Sequence, residues 1–101
     1  MWVFVFFDLP VQTKKQRRAY ADFRKSLLKD GFSMFQYSIY IRHSMSRENA
    51  LVHIERVKKA LPKEGHIVIF SLTDKQFGDI EIFYGYQAQQ LPKITQQLTM
   101  F

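Results

Sequence analysis

The segment that most constrains the fold is a short run near the amino terminus that is apolar on both sides. Residues 2–7 are all aromatic or valine, and Asp8 and Pro10 follow them, a pattern typical of a buried strand that ends in a turn. Because strand side chains point alternately to opposite sides, the even-numbered and odd-numbered residues of this run form two faces, and both are apolar. Residues 67–70 repeat this property. A sheet built on such strands needs cover on both faces.

Two helices are indicated by their boundary residues. Thr13 begins a Thr-x-x-Gln capping box, and Gly31 is of the type that commonly follows a helix end, so a helix is predicted from about residue 14 to 30. Ser46 can cap a second helix, which runs to about residue 61.

Three further segments favour strands. Residues 32–42 alternate loosely between apolar and polar side chains and form either one bent strand or a tight hairpin. Residues 66–72 form a second strongly buried strand, residues 73–79 a turn and residues 80–86 another strand. This order predicts an α+β fold of ferredoxin-like type: a βαββαβ sandwich with two helices on one face of an antiparallel sheet, and an extra carboxyl-terminal strand.

Length and composition indicate one small domain. A chain of 101 residues has room for a single domain, here residues 1–86, followed by a Gln-rich segment at 87–101. The chain has no cysteine, which excludes disulfide frameworks and thiolate chemistry. No apolar run approaches the roughly 20 residues of a membrane-spanning helix, and no signal peptide is recognisable, so a cytoplasmic protein without a membrane partner is expected.

The second face of the sheet predicts a partner. Two helices cover only one face, and the other would expose an apolar patch larger than a monomer usually tolerates. We therefore expect a homodimer in which two copies pack sheet to sheet around a two-fold axis. In the alternative, the segment from residue 87 onward folds back over this face within one chain.

The predicted first helix carries the net charge of the whole chain. Residues 14–29 contain seven basic side chains and one acid, which gives +6, and the rest of the chain has eight of each. At about 100° per residue, most of these basic side chains lie opposite the apolar helix face. Such a cationic face favours salt-dependent binding of a phosphate backbone, although many charged helix faces are only solvated surface. The expected nucleic-acid contacts are Lys14, Arg17, Arg18, Arg24, Lys25 and Lys29.

Asp8 is the acid best placed for chemistry. It directly follows the doubly apolar strand and lies near the start of the basic helix. As a structural residue, it could accept backbone N–H bonds in the turn. As a functional residue, it could hold a divalent cation, which is typically bound by one or two carboxylates together with waters and substrate phosphates. One Asp8 makes half a site, and a two-fold dimer would bring two together, with a cation between or beside them to polarise a phosphodiester.

Other catalytic patterns are weak. The three histidines lie on different predicted elements without the spacing of metal ligands, and the serines have no recognisable His or Asp partner. Four glycines in the chain do not form a phosphate-binding loop.

Taken together, these segments resemble the CRISPR-associated protein two family, the non-integrase subunit of the spacer-acquisition machinery. The resemblance spans nearly the whole chain. It rests on the opening strand that ends at Asp8, the basic helix, the Phe-Gln-Tyr-Ser-Ile-Tyr strand at residues 35–40, and the residues from Thr73 to Gly85.

The resemblance implies a homodimeric, Mg²⁺-dependent endonuclease of ferredoxin-like fold that serves CRISPR adaptation in antiviral defence. It further implies that the dimer binds double-stranded DNA, with single-stranded RNA as a further candidate substrate, and that it bridges two dimers of the CRISPR integrase. Metal binding and catalysis carry over to Asp8, with Mn²⁺ as another candidate cation, and phosphate contact carries over to Arg17 and Arg18. Residues 87–101 resemble the segment that pairs with the other subunit or the integrase.

Two alternatives to this function are open. The protein could be a purely structural adaptor, in which Asp8 only stabilises the turn. Residues 9–12 favour this alternative, because they lack the further Asp, Ser or Asn that family members often have there. The protein could also be a free-standing, toxin-like ribonuclease of related fold that needs no integrase.

Overall fold

The main sheet is built around the doubly apolar first strand. The computed structural model describes residues 1–85 and 87–91 of the chain. The strands are β1 (Trp2–Asp8), β2 (Ser33–Gln36), β3 (Ile39–His43), β4 (His66–Leu72), β5 (Ile82–Tyr84) and β6 (Gln87–Gln89). The helices are α1 (Lys14–Lys29), α2 (Arg47–Lys59) and α3 (Asp74–Gly78).

β1 has a hydrogen-bonded neighbour on each side in the main sheet. The four strands β1–β4 form one antiparallel sheet in the order β2-β3-β1-β4. β1 is central, so that Phe4 lies opposite Ile41 of β3 and Phe70 of β4. With α1 and α2 packed on one face, this arrangement confirms the predicted ferredoxin-like α+β fold.

The main core lies between the sheet and the two long helices. The odd-numbered side chains of β1 point into it, as the alternation predicted. Its buried residues are Val3, Val5, Phe7, Phe23, Leu27, Phe32, Tyr40, Ala50 and Val57. Full burial of one such large side chain stabilises the fold by about 1.5–3 kcal/mol, so this core supplies much of the stability that fixes β1 in place.

The boundaries of α1 follow from its caps. The Thr13 hydroxyl accepts a hydrogen bond from the Gln16 backbone N–H at 3.1 Å, and the Gln16 side chain accepts one from the Thr13 N–H at 3.0 Å. At the other end, Gly31 has a φ of 86°, which side chains disfavour. The predicted capping box and helix end are therefore confirmed.

The segment at residues 32–42 is a hairpin and not one bent strand. β2 and β3 pair through a tight loop in which Ser38 adopts a φ of 65°. The carbonyl oxygen of Ser38 accepts a hydrogen bond of 3.0 Å from the backbone N–H of Phe7. This bond places the loop against the carboxyl-terminal part of β1.

The second face of the sheet is partly covered within the chain. Residues 73–79 were predicted to form a turn, and this prediction is wrong, because Asp74–Gly78 form α3 behind a second capping box at Thr73. Phe77 of α3 stacks on Trp2 with ring centroids 4.1 Å apart. As a result, Trp2 and Phe4 are only 4% and 3% exposed in the single chain.

The uncovered part of this face is confined to the end of β1 that carries Asp8. There, Phe6 is 38% exposed and its partner Val68 on β4 is 56% exposed. The expectation that the whole second face is bare in one chain is thus corrected, since α3 covers the other end. Leu91, near the limit of the described residues, also packs against the covered end.

The strand predicted at residues 80–86 corresponds to β5, which is shorter than predicted and pairs with β6. β5 spans three residues and pairs antiparallel with β6 in a separate two-stranded sheet. The proposed boundary at residue 86 and most of the Gln-rich segment, residues 92–101, lie outside the described residues. Within the described part of the chain, no helix is long and apolar enough to cross a membrane.

Candidate metal and nucleic-acid site

Asp8 lies at the open end of the second face. It is the last residue of β1 and is exposed. By strand alternation its side chain stands on the same face as Phe6, and its direct partner on β4 is His66. An acidic side chain and an imidazole therefore lie next to the exposed apolar pair Phe6 and Val68.

A glycine fixes the backbone around Asp8. Gly65 precedes β4 with a φ of 101°, and a Cβ atom there would lie 2.8 Å from the carbonyl oxygen of Asp8 and 2.5 Å from Cδ2 of Leu9. Only glycine fits this contact without displacing the chain. Asp8, Pro10, Gly65 and His66 together line a shallow depression.

The Asp8 carboxylate is free of protein partners in residues 1–85 and 87–91. No hydrogen bond or ion pair to it is present there, whereas the neighbouring turn is stabilised by Gln16 and Arg17, which bond to the backbone of residues 11–13. The structural alternative, in which Asp8 itself accepts backbone N–H bonds in the turn, therefore finds no contact to support it.

The residues at this depression fit a divalent cation as part of a site. A carboxylate without a partner is the ligand that Mg²⁺ prefers, and Mg²⁺ commonly uses one or two of them with waters and phosphates. Among the described residues, however, no group of three His, Asp or Glu side chains is placed to hold a metal ion. Within this part of the chain, Asp8 is thus the one carboxylate that lines the depression.

The basic side chains of α1 divide into two groups. All six predicted contacts are exposed. Arg17 Nη1 donates to the carbonyl oxygens of Val11 and Gln12 at 3.2 and 3.0 Å, and Arg24 Nε donates to the hydroxyl of Tyr40 at 2.6 Å. The other four form no hydrogen bond or ion pair to described residues, and we call them the basic rail: Lys14, Arg18, Lys25 and Lys29.

The basic rail begins close to the Asp8 depression. Pro10 lines that depression on one side and, on its other side, a cavity of about 140 Å³ that Lys15 and Tyr20 of α1 also line. Lys14 and Arg18 lie in the same turns of α1, around a further depression with Lys15. Pro10 thus lies between the Asp8 depression and the residues of α1 that line this cavity.

Tyr20 of α1 lies near Tyr37 and Tyr40 of the β2–β3 hairpin, a grouping that was not predicted as part of this region. Burial raises the pKa of the Tyr20 hydroxyl, and the nearby hydroxyl of Tyr37 raises it further. Tyr37 stands at the tip of the β2–β3 hairpin and is 82% exposed. No sequence pattern indicates this grouping, because it depends on where the hairpin packs against α1.

Two of the histidines serve the scaffold. His53 is buried, and its Nδ1 lies 2.8 Å from Oδ2 of Asp30, whose other oxygen accepts a bond from Arg56 at 2.8 Å. His43 Nε2 lies 3.2 Å from Oδ1 of Asp74 on α3.

Comparison with known proteins gives a consistent result. Residues 1–80 match the family described as CRISPR associated protein Cas2. A CRISPR-associated endoribonuclease Cas2 from Flavobacterium psychrophilum is 54% identical over 101 residues, which is all of this chain and 88% of the relative. The protein of the same name from Parvibaculum lavamentivorans is 48% identical over the full length of both chains, and that from Paracidovorax avenae is 41% identical over all of this chain and 94% of its own. On these matches, the chain belongs to the Cas2 family of CRISPR-associated proteins.

Proposed function

We propose that this chain is a metal-dependent endonuclease of the CRISPR adaptation machinery, with Asp8 as the ligand of a Mg²⁺ or Mn²⁺ ion. The observation that carries the proposal is the exposed Asp8 carboxylate, which has no partner among the described residues and lies at the end of a rigid central strand. Relatives that cover the whole chain are named endoribonucleases, which supports cleavage of RNA.

The chemistry follows from the charges around Asp8. A divalent cation, when bound, supplies Lewis-acid polarisation of a phosphodiester. The protein side chains divide the remaining tasks: Asp8 holds the cation, the basic rail binds other phosphates of the nucleic acid, and the Gly65 contact keeps the end of β1 in position. Single-stranded RNA and double-stranded DNA both offer the required phosphates.

A homodimer would complete the site. The exposed pair Phe6 and Val68 directly adjoins Asp8 on the uncovered end of the second face. Pairing of two copies around a two-fold axis would bury this apolar surface and bring two Asp8 carboxylates together. Two like charges repel unless a cation lies near them, so dimerisation and metal binding would support each other.

Within CRISPR adaptation, the proposed dimer would bind duplex DNA along two basic rails and bridge two dimers of the integrase. Family membership supports this placement, and the concentration of net charge on α1 supports nucleic-acid binding. Residues from 87 onward are the proposed contact with the other subunit or the integrase.

Substitution of Asp8 tests the proposal. Purified Asp8→Asn and wild-type protein are incubated with single-stranded RNA and with duplex DNA, each with Mg²⁺, Mn²⁺ or a chelator. We expect cleavage by the wild type to need the metal and to fall at least about 100-fold in the variant, since a lone carboxylate ligand is lost. Glu48→Gln makes the same charge change at an exposed position on α2 and should cleave normally. Equal cleavage by Asp8→Asn and wild type would contradict the proposed role.

A structural adaptor is the second candidate function. The observation in its favour is that, in the described part of the chain, Asp8 belongs to no group of three side chains that could hold a metal ion. An adaptor would bind DNA and the integrase with unchanged affinity after Asp8→Asn, and its wild type would cleave neither substrate with either metal.

A further inference from the structure

His66 lies beside Asp8 on the uncovered end of the second face. The two residues are direct partners in the antiparallel pairing of β1 with β4, so their side chains share a face, with Cβ atoms about 4.5–5.5 Å apart. Both are exposed and line the same depression. At this separation, a carboxylate oxygen and an imidazole nitrogen can both reach one cation at the usual bond lengths of about 2.0–2.2 Å.

The histidines of this chain differ in what they contact. His53 and His43 are engaged by Asp30 and Asp74 at 2.8 and 3.2 Å. The His66 ring, by contrast, has no hydrogen bond or ion pair to any of the described residues, and it has not closed onto Asp8 although it lies opposite. Within the described part of the chain, His66 is thus the histidine whose ring has no partner, and it stands next to Asp8, whose carboxylate has none either.

The surroundings hold this pair in place. Gly65 fixes the start of β4 against the end of β1 by a contact that no Cβ could make. β1 and β4 are paired along their full length, from Trp2 opposite Leu72 to Asp8 opposite His66. The spacing of the two side chains is therefore set by the sheet and not by a mobile loop, which is what a metal site requires of its ligands.

We propose that His66 is a second protein ligand of the cation at Asp8, an inference that rests on the metal-dependent function proposed above. Imidazole binds first-row transition metals well, whereas Mg²⁺ prefers oxygen ligands. An Asp–His pair therefore biases the site towards transition-metal ions over Mg²⁺. In a two-fold dimer, two such pairs would provide four ligands.

Metal affinity tests this inference without relying on catalysis. Isothermal titration with Co²⁺ and with Mg²⁺ is carried out on the wild type, His66→Ala and Asp8→Asn. We expect His66→Ala to weaken Co²⁺ binding by about tenfold or more and to leave Mg²⁺ binding nearly unchanged. Asp8→Asn should weaken binding of both ions. The control Glu64→Gln removes a charge two residues away from His66 and should change neither affinity.

Nuclear magnetic resonance identifies the ligand directly. A histidine bound to Co²⁺ shows strongly shifted ring resonances, and the chain has three histidines to compare. We expect such shifts at His66 and at neither His43 nor His53. Equal Co²⁺ affinity in the wild type and His66→Ala, with binding still lost in Asp8→Asn, would overturn the role of His66 and leave the proposed function standing. Absence of Co²⁺ and Mg²⁺ binding to the wild type would overturn both.

Discussion

Asp8 is available for chemistry because other residues perform the structural tasks around it. The turn that follows β1 is stabilised by Gln16 and Arg17, and the backbone of Asp8 is held by the close approach of Gly65. The carboxylate itself is thus left exposed. At the scale of single residues, the proposed site centres on Asp8, whose carboxylate has no partner among the described residues and whose backbone is supported by its neighbours.

Gly65 gives a direct test of this support. Alanine at this position would have an unfavourable φ of 101° and a Cβ atom 2.8 Å from the Asp8 carbonyl oxygen. We expect Gly65→Ala to lower the free energy of unfolding by about 1–3 kcal/mol, measured by urea denaturation, and to lower nuclease activity as well. Gly78→Ala is the matched control, because nothing lies within 4 Å of its added Cβ. A Gly65→Ala variant as stable as Gly78→Ala would contradict the account.

The Asp30 cluster predicts how stability changes with pH. Burial acts to raise the pKa of Asp30, but its bonds to His53 and Arg56 outweigh burial and hold the pKa below its usual value. The stabilisation is therefore fully present above about pH 4, the pKa in the unfolded chain, and is lost as the pH falls through the lower folded-state pKa.

Asp30→Asn should reveal this contribution. Because His53 is left buried without its partner, we expect a loss of about 1–3 kcal/mol at pH 7 and a weaker fall in stability below pH 4. Part of the acid dependence should remain, since the Met1 amino group and His43 also lower the pKa of Asp74, against the effect of burial. The measurement is urea denaturation between pH 2.5 and 7, with the exposed Asp22→Asn as control. If the stability of Asp30→Asn fell with pH in the same way as that of the wild type, the Asp30 cluster would not contribute to stability as described.

At the scale of elements, capping residues in the sequence predicted where α1 begins, whereas the pairing of distant strands could not be predicted. The capping box at Thr13 predicted α1 correctly, yet the same Thr-x-x-Gln signature at Thr73 begins α3, which was predicted as a turn. The helix that follows this second cap has only five residues, which are too few to show helical periodicity. The place of His66 opposite Asp8 was beyond prediction, because register between β1 and β4 depends on tertiary pairing.

Binding of duplex DNA by the basic rail is a prediction about one element, α1. Arg18→Glu combined with Lys25→Glu reverses two charges that have no protein partner among the described residues. We expect weaker binding to duplex DNA and a flatter dependence of affinity on salt, because fewer counterions are released. The measurement is fluorescence anisotropy at several salt concentrations. A Glu55→Lys variant on α2, which adds positive charge elsewhere, serves as a comparison. Identical salt slopes for the wild type and the Arg18/Lys25 variant would contradict the proposal that the basic rail binds DNA phosphates.

At the scale of the whole molecule, the fold class and a first strand that is apolar on both faces could be predicted from the sequence. The alternation of strands and helices limits the topology, and the apolar pattern of β1 indicates burial on both sides. What covers the second face could not be predicted, because it depends on how α3 packs Phe77 onto Trp2. The apolar surface left exposed on this face is therefore smaller than expected and lies at the Asp8 end.

Sedimentation velocity tests the central claim most directly, namely that a second copy covers the apolar surface beside Asp8. At micromolar concentration we expect the wild type to sediment with twice the chain mass of 12.1 kDa. Val68→Glu should sediment as a monomer with unchanged circular dichroism, since it places a charge on the proposed contact. Leu51→Glu on α2 alters a side chain of similar exposure, 53% against 56%, and should remain dimeric. A wild type that is monomeric throughout, or a dimer unaffected by Val68→Glu, would contradict the account.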